Sequence, residues 1–94
     1  MKFHKTNHFI NRQRDRNIDD AIVSKITSKI KEISKSKSII IASKNLLKKI
    51  GMNTKVKKNL ILISQGKVLI TAFYINDIYA YLSSLHGKIE TIIV

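Results

Sequence analysis

"NLILISQGKVLITAFYI", residues 59–75, decides the fold. Two apolar runs of strand length meet at Gln65-Gly66, a pair suited to a two-residue hairpin turn. Successive positions, and not only alternate ones, are apolar in both runs. Each strand therefore buries two faces and belongs in the middle of a covered sheet.

The flanks supply the cover. On the C-terminal side, "NDIYAYLSSLHGK" reads as a helix capped by Asn76 and stopped by Gly87, with Ile78, Leu82 and Leu85 as its buried stripe. "IETIIV" then closes as a strand, and the helix before it is long enough to return it parallel to an earlier one. On the N-terminal side, Ile39, Ala42, Leu46 and Ile50 of "IIIASKNLLKKIG" fit helical spacing, with Gly51 as the stop. The Ile-Ile-Ile opening also suits a short strand, and the helix is the expectation carried forward. "SKSKS", residues 34–38, is a polar break. "DAIVSKITSKIKEIS", capped by Asp19, places Ile22, Val23, Ile26, Ile30 and Ile33 on one face. Thr6 or Asn7 caps a first helix running to about Arg16, with Phe9, Ile10 and Gln13 inward and Asn17 able to take the left-handed turn that ends it.

The resulting order, α-α-α-β-β-α-β, predicts an α+β domain over residues 1–94. N-terminal helices pack on a small, mainly antiparallel β-sheet built on a β-hairpin, with an added C-terminal helix-strand. A chain of 94 residues holds one modest core.

Charge narrows the partners. Eighteen Lys and Arg against six Asp and Glu leave a formal +12. So basic a chain attracts polyanions, with nucleic acid first and anionic surfaces or an acidic protein next. A lysine-rich solvated surface is the bland alternative. Cysteine is absent, which excludes disulfides, thiol catalysis and zinc–thiolate sites. "MKFHKTNHFI" lacks an apolar h-region, so no signal peptide is read there. The apolar run at "VLITAFYI" is too short to span a bilayer as a helix.

The six acids, Asp15, Asp19, Asp20, Glu32, Asp77 and Glu90, do not form the convergent carboxylate set that a metal-dependent nuclease needs, and capping explains two of them. His4 and His8 are four apart, but a third zinc ligand is missing. No metal and no cofactor are expected. His8, Arg12 and Arg16 recur at every fourth residue and make one row on the first helix. An imidazole can shuttle a proton near neutrality, and a guanidinium holds a phosphate through two parallel hydrogen bonds. That pairing suits metal-free RNA cleavage. The same spacing is also met on an ordinary solvated helix. Lys5 and Arg14 flank the row. Lys55, Lys57 and Lys58, with Lys67 at the hairpin tip, are candidate nucleic-acid contacts or solvated strand ends. Tyr79 and Tyr81 could stack a base or pack in the last helix, and His86 reads as a helix C-terminal residue.

"HFINRQRDRNIDDAI" resembles the opening helix of a family of small bacterial toxin-like domains affiliated with the barnase, EndoU, colicin and RelE group of ribonucleases. "GKVLITAFY" is similar to that family's last hairpin strand with its Thr. The resemblance spans residues 6–33 and 59–75. It implies RNA held between the first helix and the sheet, with His8 as general acid or base, Arg12 and Arg16 on the scissile phosphate, and Thr71 positioning a phosphate oxygen. Asn17 stands where the family usually has Gly. Phe73 stands where an aromatic, usually Tyr, is expected. Tyr74 follows, and strand alternation puts it opposite Thr71 unless a bulge intervenes. The implied function is a metal-independent ribonuclease toxin acting on tRNA or another structured RNA in the bacterial cytoplasm. It would be the toxin of a toxin–antitoxin pair or part of a larger delivered protein, and it would be restrained by an acidic immunity protein or antitoxin. A monomer is the default. The rivals are a non-catalytic basic nucleic-acid-binding module and a basic adaptor for an acidic protein.

Overall fold

The computed structural model describes residues 2–51, 57–85, 87 and 89–94. Lys55 and His86, both singled out above, lie outside the described residues. The elements are β1 (His4–Lys5), α1 (Asn7–Asp15), α2 (Asp20–Ser28), β2 (Lys37–Ala42), α3 (Lys44–Lys49), β3 (Asn59–Gln65), β4 (Val68–Ile75), α4 (Ile78–Ser84) and β5 (Glu90–Ile93). The fold is α+β: helices pack on a five-stranded mixed sheet of order β1-β4-β3-β2-β5. The long ladders, β3 with β4 and β2 with β3, are antiparallel. The edge strands are parallel to their neighbours, β1 to β4 and β5 to β2, so the closing strand returns as expected.

The hairpin forms with one change. Gln65 pairs with Val68, so the loop residues are Gly66 and Lys67. Gly66 has φ +56 at the first loop position, where type II′ turns take glycine. The chemistry of the turn therefore moves the bend one residue past the expected Gln65-Gly66.

The sheet separates two cores. Phe9 of α1, Ile22, Val23 and Ile26 of α2, and Leu47 of α3 pack with Ile40, Leu60 and Leu62 on one face. Ile78 and Leu82 of α4 cover Ile39, Ile41, Ile61 and Ile63 on the other. This division explains the main departure from expectation. Residues 39–41 are not helical but lie in β2, where every position from Ser38 to Ala42 is buried. A β-branched run that feeds two cores is a strand, and the helix is confined to α3 behind the Ser43 cap.

Other boundaries move for local reasons. α2 stops at Ser28, where the Thr27 and Ser28 hydroxyls donate to backbone carbonyls of Val23 and Lys25 and compete with the helix ladder. Ile30 stays buried without helical structure. Asp77, and not Asn76, caps α4. Ile10, expected inside, is 46% exposed. Thr6 and Asp19 cap as anticipated, and Asn17 takes φ +52.

Ser38 and Ser64 face each other across β2 and β3, both fully buried, with hydroxyls that have no hydrogen-bond partner among the described residues. A buried unpaired hydroxyl costs about 1–3 kcal/mol of desolvation. Ser64→Ala is therefore expected to raise the stability by about 1 kcal/mol in urea unfolding. A drop of that size would show that the hydroxyls are satisfied after all.

Candidate nucleic-acid interface

The N-terminal segment is stitched to the outer edge of β4. The amides of His4 and Thr6 donate to the carbonyls of Lys67 and Leu69 at 2.8 and 3.1 Å. The Thr6 hydroxyl caps α1 by accepting from the Phe9 amide at 3.0 Å, and it donates to the Ile70 carbonyl at 3.2 Å. One helical span later, the Arg16 guanidinium donates to the Ala72 carbonyl at 2.9 Å. α1 is thus tied to the same strand edge at both ends, with Phe9 buried beneath it. An edge that would otherwise present bare backbone groups is closed by the backbone of β1 and Thr6 and by the Thr6 and Arg16 side chains.

His8 and Arg12 lie on this helix and Arg16 caps its C-terminal end. His8 and Arg16 are exposed and Arg12 is half-buried. Arg12 stands 3.9 Å from Asp15. Arg16 gives one of its five donors to Ala72, which orients the guanidinium and leaves the others for an anion. Among the described residues, His8 has no side-chain hydrogen-bond partner.

Tyr74 is on this face. It stands opposite Leu60, two residues past Ala72, and packs partly against the first core, where burial raises its hydroxyl pKa above the ordinary value. Thr71 is not on this face. It pairs with Ile63, whose side chain belongs to the α4 core. A bulge is present, but it lies at Ile70, where Ser64 pairs with Leu69 and Ile63 pairs with Thr71. Because it precedes Thr71, it leaves Thr71 and Tyr74 on opposite faces. The structure brings His8, Arg12, Arg16 and Tyr74 to one side and Thr71 to the other.

The other candidate cations named from the sequence are dispersed. Lys5 forms an ion pair with Asp20, donates to Gln13 at 2.9 Å and stands 5.8 Å from the Phe9 ring centre. It is spent on holding β1 to α1 and α2. Arg14 is exposed and donates to Asn11 at 2.8 Å. Lys57 and Lys58 are exposed before β3, while Lys67 is exposed in the turn after it. The length of β3, about 20 Å at roughly 3.3 Å per residue, separates them, so they do not form one patch. Tyr79 is 85% exposed, whereas Tyr81 meets Phe73 edge-to-face at 5.7 Å. Among the described residues no three His, Asp or Glu stand together as metal ligands, and no helix is long and apolar enough to cross a membrane.

Asp20 illustrates the electrostatics of this region. Its hydrogen bond from Lys5, then that from Gln13, then the Lys5 charge hold its carboxyl below the ordinary 3.8. A depressed pKa contributes stability that is present above the unfolded value and is lost as pH falls through the folded one. The side chain is 76% exposed, so solvent screening keeps the contribution below about 1 kcal/mol. Asp20→Asn is expected to lower stability slightly at pH 7 and to match wild type once pH falls well below 3.8, as read from urea midpoints across that range.

Compared with known proteins, the chain matches no protein-family model, no curated protein and no solved structure.

Proposed function

We propose that the protein is a metal-independent RNA-cleaving domain, with the reactive groups along α1, at its C-cap and on the adjoining edge of β4. One observation carries the reading. α1, which bears His8 and Arg12, is tied at its Thr6 cap and at Arg16 to the edge of β4, the strand that bears Tyr74. Such a set of groups is chemically suited to phosphodiester transesterification. His8 takes the proton of a 2′-hydroxyl as its oxygen bonds to the adjacent phosphorus. Arg12 and Arg16 stabilise the charge that builds on the phosphoryl oxygens. The bond to the 5′-oxygen breaks, and that oxygen takes a proton from His8 in its protonated form or from the Tyr74 phenol, whose pKa burial raises. The products are a 2′,3′-cyclic phosphate and a 5′-hydroxyl. The formal +12 draws the polyanion in, and it equally favours an acidic protein inhibitor. A toxin role, a tRNA target and action in a bacterial cytoplasm rest on the family resemblance alone.

The test is purified protein with total tRNA in excess EDTA, resolved on a denaturing gel. Discrete fragments with cyclic-phosphate ends are expected. Intact RNA together with a salt-sensitive gel shift would replace this reading with that of a basic binding module. One observation favours that second reading: no described side chain orients the His8 ring, whereas catalytic histidines are commonly held by a third group.

A further inference from the structure

Thr71 carries the strand motif but lies away from the α1 row, and its own surroundings form a second site. α4 crosses only part of its face of the sheet. Beside it a cleft of about 500 Å³ remains, floored by Ile39 and Ile63 and walled by Phe73 and Leu85. The volume falls within the range of roughly 300–1,000 Å³ typical of small-molecule sites. The bulge at Ile70 shapes it: without the extra residue, Ile70 and Thr71 would point to opposite faces, yet both line this cleft. Bulges re-aim side chains in this way beside functional sites.

The lining is apolar with a few polar groups at its margin. Lys37 stands at the end of β2 and lines the cleft, and it has no ion pair among the described residues. Thr71 and Tyr81 also line it, and neither hydroxyl has a hydrogen-bond partner among the described residues. The Gln65 amide is already engaged with the Lys35 carbonyl at 2.7 Å. Phe73 and Tyr81 form an edge-to-face pair, with rings inclined at 64°, that offers a further aromatic ring a third partner. An unpaired ammonium beside an apolar floor selects an anion with an apolar body. A single charge suits it better than a phosphate dianion, because each further charge drawn against Ile39 and Ile63 adds desolvation cost.

We propose that this cleft binds a small aromatic monocarboxylate, its ring against Phe73, Tyr81 and the isoleucine floor, and its carboxylate on Lys37 with the Thr71 hydroxyl donating. This site is independent of the proposed RNA chemistry on the other side of the sheet, and neither reading rests on the other.

The probe is 2-naphthoate, titrated into the full chain carrying labelled isoleucine methyl groups and followed by NMR. Saturable one-to-one binding is expected, with the largest shifts at Ile39, Ile63 and Ile70. Lys37 is exposed, so Lys37→Gln should fold normally. It is expected to weaken 2-naphthoate binding about tenfold, a change of about 1.4 kcal/mol, and to leave the neutral 2-naphthalenemethanol unaffected. Thr71→Val, close in shape, should weaken the acid to a smaller degree. Shifts that never saturate, shifts centred on the α1 row, or equal affinity of wild type and Lys37→Gln would each overturn the proposal.

Discussion

His8→Ala is expected to slow RNA cleavage by at least about a hundredfold, the usual contribution of a positioned proton-transfer group, while leaving RNA affinity nearly intact. The separation follows from where the ring sits. His8 is exposed on α1 and makes no side-chain hydrogen bond among the described residues, so its loss disturbs no packing. Alanine is also the better helix former, by a few tenths of a kcal/mol, so thermal stability should hold or rise slightly. Arg12→Ala and Arg16→Ala should behave differently. Both remove a proposed phosphate contact and should weaken binding, with a shallower salt dependence. Arg16→Ala also cuts the tie to the Ala72 carbonyl and should loosen the end of α1 as read by amide exchange. Single-turnover rates for the three variants, taken beside gel-shift affinities over a range of salt, separate the roles. An unchanged rate in His8→Ala would remove the imidazole from the chemistry and leave the row as a binding surface.

The second large effect is structural. Phe9 is the one residue of α1 that is buried, and it is fully so. Phe9→Ala is expected to cost about 3–5 kcal/mol, from lost burial and the cavity left behind. That is a large share of the roughly 5–15 kcal/mol that holds a small domain folded. α1 spans nine residues, too few to persist alone in water. With its anchor gone, the helix keeps the Thr6 and Arg16 ties at its ends and the hydrogen bonds of Gln13 with Lys5 and Asp20. Urea unfolding should show a lower midpoint at unchanged slope, and amide protection in α1 should fall more than in β3. A loss below about 1 kcal/mol would mean that the end contacts, and not the core, hold the helix.

What could be read from the residues followed how locally each feature is encoded. The hairpin was legible because turn chemistry and two apolar runs lie side by side. The Thr6 and Asp19 caps and the left-handed Asn17 were legible because each rests on a single side chain. β2 was misread because a run buried on both faces has no period of its own, so a helical spacing could be drawn through it. β1, two residues long, carries no pattern at all and exists because β4 offers it an edge. The His8–Arg12–Arg16 row was visible as spacing, but the hook of Arg16 onto Ala72 joins residues 56 positions apart and left no local signal. The bulge at Ile70 is likewise a property of pairing, and because it precedes Thr71 the separation of Thr71 from Tyr74 is the one that strand alternation alone predicted.

The stitching of the N-terminal segment to β4 also sets an order in time. During synthesis the arginine-bearing helix emerges first, but the carbonyls that fix it belong to residues 67–72. Until those residues leave the ribosome, α1 has no strand to dock on and no partner for Arg16. The proposed chemistry is therefore absent from the nascent chain until the hairpin has closed. A chain cut short before β4 would carry every residue of the row and still lack the site, while a fragment that supplied the missing hairpin would restore it.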